Sequence, residues 1–462
     1  MKIHQYQVLE DALAEQIAEG RLSTGDRLPS VRVLCDRYTL AKGTVLHALS
    51  RLEARGLVIA RPRSGYYVAE RESPVSATPR PNAPVNARVS PLLMDLMQHG
   101  AAFDLMPGAG GENTQGLEIL NRSINRVMRR QRGKSHLYYD DPAGSVVLRQ
   151  QLALRYLRRG CQLDSEDFIV TAGCQNALFL ALMATCKTGD VVAVESPGFY
   201  GALQLLEQLQ LKVIEIPSSS LTGMSINSLR QAAQKWPIKA CIVSPCFSTP
   251  AGAVMPDAER QQLLQLAEHH DFAVIEDDIY ADTALSYTPD PLKKQDRTDR
   301  VILCSSFSKS LSRDLRIGWI SGGRWQQALL QLKLVTQLAS PLSIQNGLAE
   351  FMADGGYDSH LKRQRKELRQ QRDILADSIR RWPNIRGFNV PEGGLTLWVE
   401  LKEDQDTSIW FLHLKKLGIF IAPGALFSTE NKFRHCFRLG YVHPWTAERL
   451  KALNQISALL EV

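Results

Sequence analysis

Residues 305–319 read SSFSKSLSRDLRIGW. A single lysine, Lys309, sits among small hydroxyl residues, and Arg316 follows it seven positions later. A lysine amine condenses with an aldehyde, whereas serine hydroxyls, backbone N–H groups and a forked guanidinium suit a phosphate. The stretch therefore reads as a covalent anchor for pyridoxal 5'-phosphate (PLP). Lys309 would form the Schiff base, Ser306 and Ser308 would hold the phosphate, and Arg316 would grip it bidentately.

Outward from this anchor, strand-like runs at 167–173, 191–195, 240–245, 272–278 and 300–306 alternate with helical patterns at 175–186 and 259–270. That alternation predicts an α/β domain, a mostly parallel sheet with helices on both faces and ligands at the C-terminal strand ends. Three motifs fall at such ends. Thr171-Ala172-Gly173-Cys174-Gln175 opens a helix, and the N–H groups of Gly173, Cys174 and Gln175 suit a phosphate, although small residues are common at any such turn. Glu195-Ser-Pro-Gly-Phe199-Tyr200-Gly201 offers Phe199 either to stack on a pyridine ring or to fill the core. Glu276, Asp277 and Asp278 stand in succession before Tyr280. Buried carboxylates need a cationic partner, which a protonated pyridine nitrogen supplies, and Tyr280 could then hydrogen-bond a phenolic oxygen on the same ring.

The N-terminal part has a different character. Leu9, Leu13 and Ile17 recur every fourth residue up to Gly20, an amphipathic helix with a glycine stop. After a Gly25-Asp26 turn, Pro29 and Ser30 start a second helix carrying Arg32 and Leu34, and a third runs from Lys42 through Val45, Leu49 and Leu52 to Gly56. The strand-like LVIA and YYVA then flank Arg61-Pro62-Arg63-Ser64-Gly65, a basic turn, completing a helix-turn-helix with a wing. Between Arg32 and Arg63 seven basic residues face only Asp36 and Glu53, a charge balance suited to nucleic-acid phosphates and equally to a solvated face.

Residues 71–91 hold five prolines among small and polar residues, which predicts a linker. At about 3.1 Å per residue in polyproline form it spans on the order of 60 Å, enough for the first domain to cross to a partner subunit in a domain-swapped homodimer. The chain as a whole, 462 residues with 44% hydrophobic and 22% charged side chains, predicts two or more globular domains. No apolar run approaches the roughly 20 residues of a spanning helix, and the N-terminus lacks a signal or transit pattern, so no membrane contact and a cytoplasmic location are expected. The eight cysteines form no C-x-x-C pair, which predicts reduced core thiols and no metal site.

GDRLPSVR, GTVLHALSRLEARGLV and RSGYYVA resemble the winged helix-turn-helix of GntR-type regulators over about residues 4–69. The resemblance implies that Arg32, Arg63 and Gly65 contact backbone or groove, while Lys42, Gly43, Thr44 and His47 lie at the groove-facing end of the recognition helix. Ala41-Lys42 departs from the family's usual Ser-Arg and replaces a forked base contact with a point charge. Further along, YYDDPAGSVVLRQQLA, TAGCQNAL, ESPGFYGAL, SPCFSTPAGAVM, EDDIYAD, SSFSKSLSRDLRIGW, PEGGLTLWVEL, APGALF and FRLGY resemble, in order, the class I/II aminotransferase domain, PLP fold type I.

That second resemblance implies Asp277 on the pyridine nitrogen, Tyr280 on the ring oxygen and Phe199 stacked on the ring. It also implies phosphate contacts from Cys174, Gln175, Ser306, Ser308 and Arg316. Tyr139 is similar to the tyrosine that reaches the phosphate from the neighbouring subunit, and Arg438 to the arginine that grips a substrate carboxylate. Thr249 stands where the family usually has an asparagine. The layout of 1–70 as winged helix, 71–91 as linker and 92–462 as aminotransferase-like domain resembles the MocR subfamily. It implies a homodimeric, PLP-dependent transcriptional regulator that binds a double-stranded DNA operator and senses an amino acid or a vitamin B6 compound. A working aminotransferase with an appended winged helix remains the alternative, because Lys309, Asp277, Tyr280, Arg316 and Arg438 are all present.

Overall fold

The computed structural model describes residues 5–18, 22, 26–54, 57–61, 65–68, 82–107, 114–130 and 139–460. The chain divides into two compact units, Met1–Ala77 and Thr78–Val462.

In the first unit, helices α1 (Gln5–Ala18), α2 (Val31–Tyr38) and α3 (Lys42–Ala54) precede a hairpin of β1 (Val58–Arg61) and β2 (Gly65–Val68). Leu9 and Leu13 bury against Leu34, Val45, Leu49 and Leu52, with Val58 and Val68 completing the core. The four-residue spacing in the sequence is thus the inward face of the helices. The Ser30 hydroxyl accepts the Val33 N–H at 3.4 Å and caps α2, and Thr39 ends that helix in the left-handed region at φ 54°. Gly65 enters β2 at φ 108°, a conformation that favours glycine. Gly20, Gly25, Gly56 and Arg63 lie outside the described residues.

The second unit is built on a mixed sheet. Its strands are β3 (Val85–Asn86), β4 (Ile169–Thr171), β5 (Val191–Ser196), β6 (Lys212–Ser219), β7 (Gly223–Met224), β8 (Ile238–Val243), β9 (Ala273–Asp277), β10 (Val301–Ser306) and β11 (Gly318–Ser321). The order is β3-β6-β5-β8-β9-β10-β11-β4, with β7 paired to β6. The strands from β6 to β10 in that path run parallel, while β3, β7 and β11 are antiparallel to their neighbours. Strand β4 is antiparallel to β11 and so shares the direction of β10. The C-terminal ends of β4, β5, β9 and β10 consequently open on one edge of the sheet. Apolar clusters on both faces explain why β5, β9 and β10 are buried along their whole length.

A four-stranded antiparallel sheet, ordered β12 (Ile385–Phe388), β13 (Thr396–Leu401), β15 (Cys436–Gly440) and β14 (Ala422–Pro423), packs with the long helix Gly356–Ile379 and the helix Ala447–Ala458 around Leu397, Val399 and Phe437. The stretch expected to be linker, 71–91, is sheet at its C-terminal end. Val85 and Asn86 pair with Val213 and Lys212 of β6, Ala87 is buried, and Pro91 opens helix α4 (Leu92–Gln98). An edge strand leaves backbone groups to be paired, and these residues pair them. Residues 69–81 lie outside the described residues.

Candidate functional site

The three successive carboxylates have different partners. Glu276 accepts the N–H groups of Leu292 at 2.6 Å and Lys293 at 2.9 Å. Asp278 pairs with Arg159 (Nη2 to Oδ1, 2.9 Å) and accepts the Tyr156 phenol at 2.9 Å, whose oxygen accepts the Trp319 indole N–H at 3.1 Å. Asp277, the last residue of β9, points to the opposite face from both. Its Oδ1 accepts the Ile279 N–H at 3.2 Å and the Cys174 thiol at 3.3 Å. Burial pushes its carboxyl up to about 6, with Lys309 pulling the other way. Of the trio only Asp278 is paired with an arginine; Glu276 is held by two backbone N–H groups, and Asp277 by one backbone N–H and a thiol.

Lys309 lies in the turn after β10, half-buried, with Nζ 3.7 Å from the centroid of the Phe103 ring. Burial, then the positive charges of Arg438 and Arg316, lower its amine to about 7 against the attraction of Asp277. Facing it is the start of helix α5 (Cys174–Thr185), capped by Gly173 at φ 86°, where the first intrahelical bond is Ala177 N–H to the Gly173 carbonyl. The earlier N–H groups of that turn face outward from the helix end. Arg316, in the left-handed region at φ 49°, donates from Nη2 to the Ala172 carbonyl at 2.9 Å and from Nη1 to the Ser308 hydroxyl at 3.5 Å. The Ser306 hydroxyl accepts the Ser308 N–H at 3.3 Å, and the Gln175 side chain donates to the Gly201 carbonyl at 2.7 Å.

The cradle depends on missing side chains. A Cβ on Gly173 would lie 2.7 Å from Arg316 Nη2, and one on Gly318 would lie 2.6 Å from the Gly173 carbonyl carbon. A space bounded by helix-end N–H groups, two serines and an arginine, and kept open by glycine, fits a phosphate. Phe199 caps the next helix, α6 (Tyr200–Gln208), and lines a small cavity with Asp277, Ser244 and Glu195. The Glu195 carboxyl is pushed by burial up to about 8; Oε2 accepts the Ser244 N–H at 3.1 Å.

Tyr280 and Thr249 are both buried, and burial raises the Tyr280 phenol above its ordinary range against the positive charge of Arg438. Arg438, on β15 and only 2% exposed, donates from Nη1 to the Thr249 hydroxyl at 3.3 Å. Its guanidinium is ringed by Phe103, Phe427 and Tyr200, with centroids 4.6, 5.0 and 5.5 Å from Cζ. Tyr139 does not join this group: it is 82% exposed and stands out from its own chain's cradle. The sequence reading missed Phe103, Arg159 and the aromatic ring around Arg438. Tyr200 and Phe427 lay within the strings ESPGFYGAL and APGALF, where an aromatic beside a motif was the available signal.

In the first unit, Arg32, Lys42, Gly43 and His47 are exposed on α2 and α3, Thr44 is half-buried, and Gly65 is exposed at the start of β2. The His47 ring meets Tyr6 edge-on, centroids 4.5 Å apart. Arg51 is held by Glu10 at 2.5 Å, so one of the seven bases counted toward the phosphate footprint serves an internal ion pair.

A winged helix in one unit and an aminotransferase-type α/β fold with a lysine cradle in the other define a two-module regulator class. Residues 5–68 match the bacterial regulatory proteins of the gntR family, and residues 110–449 match aminotransferase class I and II. The chain is 37% identical to the uncharacterized HTH-type transcriptional regulator YjiR of Escherichia coli strain K12, over 98% of this chain and 97% of that one. It is 33% identical to YdcR of the same strain over 99% of each. The second unit is similar in structure to Pyrococcus horikoshii kynurenine aminotransferase, solved with PMP: TM-score 0.72, 25% identity, covering 81% of this chain and 95% of that one. The chain belongs to the HTH-type transcriptional regulators that join a GntR domain to an aminotransferase class I/II domain, the MocR architecture.

Proposed function

We propose that this chain is a PLP-dependent, DNA-binding regulator that works in the cytoplasm as a homodimer and senses an amino acid or a vitamin B6 compound. The observation that carries the reading is the coexistence, in one chain, of an exposed basic recognition helix and a cradle assembled around Lys309. Lys42, Gly43, Thr44 and His47 would face the groove of a double-stranded operator, with Arg32, Arg63 and Gly65 at its backbone.

In the second unit, Asp277 would meet the cofactor's ring nitrogen, Tyr280 and Thr249 its ring oxygen, and Phe199 its face. The Gly173, Cys174 and Gln175 N–H groups, Ser306, Ser308 and Arg316 would hold its phosphate, with Tyr139 reaching the cradle of a partner copy. When bound, PLP supplies an aldehyde that condenses with amines. Lys309, with its amine lowered to about 7, offers a substantial neutral, nucleophilic fraction at physiological pH. Asp277, buried and with its carboxyl raised to about 6, would share a proton with the ring nitrogen. Arg438 offers a fork for a carboxylate. Titration of promoter DNA in a band-shift assay, with and without PLP, tests the reading, and no specific shift under either condition would refute it.

The second reading, a working aminotransferase, is favoured by the juxtaposition of Lys309, Asp277 and Arg438 in one site. Steady turnover of an amino acid with an oxo acid, abolished by Lys309→Ala, would establish it.

A further inference from the structure

The carboxylate fork of Arg438 is already occupied by its own chain. Nη2 donates to the Ala102 carbonyl, Nη1 donates to Thr249, and the Phe103 ring covers Cζ at 4.6 Å. The same ring also meets the amine of Lys309, whose Nζ lies 3.7 Å from its centroid. One phenyl ring thus touches both groups that an amino-acid ligand must reach together, its amine toward Lys309 and its carboxylate toward Arg438.

The segment bearing this ring is anchored. Asp104 pairs with Arg449 at 2.6 Å and accepts the Met106 N–H at 2.9 Å, while the Leu105 carbonyl accepts the Phe420 N–H at 2.9 Å. Gly440 lets the strap lie close, since a Cβ there would sit 2.2 Å from the Phe103 carbonyl oxygen. In the chain the strap directly follows α4, which follows the proline-rich stretch leading from the DNA-binding unit.

We propose that Ala102 and Phe103 are a built-in competitor for the ligand of this site. The Ala102 carbonyl takes the guanidinium edge that a ligand carboxylate would take, and the Phe103 ring lies against both the Arg438 guanidinium and the Lys309 amine. A compound carrying a carboxylate and a primary amine binds by expelling them. A carboxylate wins this exchange because it brings a full negative charge and two acceptor oxygens to the guanidinium fork, where the Ala102 carbonyl brings a neutral dipole and one. Apparent affinity falls by the fraction of molecules in which the strap is out, so the strap sets the concentration at which the protein responds. Its expulsion moves chain that is continuous with α4 and the linker. The inference rests on the proposed roles of Lys309 and Arg438.

The test uses the full chain loaded with PLP and two probes, aminooxyacetate, which has a carboxylate, and hydroxylamine, which has none. Each displaces Lys309 at the cofactor's aldehyde carbon: the probe nitrogen forms the new C=N bond, its two protons pass to the lysine, and the visible absorption is lost. Phe103→Ala is expected to lower the half-saturating aminooxyacetate concentration about tenfold and to change the hydroxylamine rate less than about twofold. Should Phe103→Ala fail to load, Phe103→Leu carries the same direction with a smaller factor. Deuterium uptake across 92–107 of the wild type is expected to rise when aminooxyacetate is added. An unchanged or raised half-saturation in the variants, or flat uptake, would overturn the competitor. If no visible band forms on the wild type with saturating PLP, the cofactor reading itself fails and the competitor with it.

Discussion

Replacing Gly173 by alanine probes the phosphate cradle at its narrowest point. At φ 86° and ψ 173° the residue occupies a region essentially reserved for glycine, and forcing alanine into it costs on the order of 1–3 kcal/mol. The new Cβ would also lie 2.7 Å from Arg316 Nη2, closer than real carbon contacts allow, so the guanidinium must move. Arg316 is otherwise held there by its 2.9 Å bond to the Ala172 carbonyl. Losing one charge-assisted bond to a phosphate is worth about 1.5–3 kcal/mol, or roughly 10- to 100-fold in Kd. The assay is titration of cofactor-free protein with PLP, followed by visible absorption, alongside the thermal midpoint of the unliganded variant. If alanine acts through Arg316, Gly173→Ala adds little to Arg316→Ala in a double-mutant cycle. A Gly173→Ala protein within about twofold of wild-type affinity, or two fully additive losses, would refute the reasoning.

Arg159→Met leaves Asp278 buried without its partner and is expected to cost about 3–5 kcal/mol in denaturant unfolding, partly recovered by adding Asp278→Asn. The depressed amine of Lys309 gives a signed pH dependence. Its contribution to stability is full above the ordinary lysine value and is lost as pH falls toward about 7, so Lys309→Met should flatten the rise of the cofactor-free protein's Tm between about pH 7 and 10. Asp277 acts in the opposite sense: its raised value of about 6 contributes stability below the ordinary carboxyl range that is lost as pH rises through about 6, and Asp277→Asn should remove that loss. Leu49, fully buried in the winged-helix core, costs about 2–5 kcal/mol when cut to alanine, and the expected outcome is loss of the DNA shift with the visible cofactor band retained.

What the sequence made legible was local. Lys309 and Arg316 stand seven residues apart in one turn, and Gly173 to Gln175 form one strand-to-helix junction, so spacing alone brings their groups near each other. The helices of the first unit were legible because Leu9, Leu13, Val45, Leu49 and Leu52 repeat at the helical period and the same residues form the core. Strand β6 was not anticipated, since its KVIEIPSS carries a proline and runs into serines that read as loop. Nor was β3, whose two residues pair only because the β6 edge is there to receive them.

Long-range pairing is what spacing cannot carry. Glu276, Asp277 and Asp278 are alike in the sequence, and strand alternation separates only the middle one from its neighbours. The decisive partner of Asp278 is Arg159, 119 residues away, on a helix end with no motif around it. Phe103 is the same problem in the reverse direction: an unremarkable phenylalanine, more than 200 residues before Lys309 and more than 300 before Arg438, lies against both. The consequence is functional. The chain pairs Asp278 with an arginine, holds Glu276 by two backbone N–H groups and gives Asp277 only a backbone N–H and a thiol. It covers Lys309 and Arg438 with a ring and a carbonyl, which are weaker partners than a carboxylate and can yield to one. If the proposed competitor holds, a site arranged that way would respond to ligand concentration through displacement of its own chain, as a sensor would and an open enzyme cleft would not.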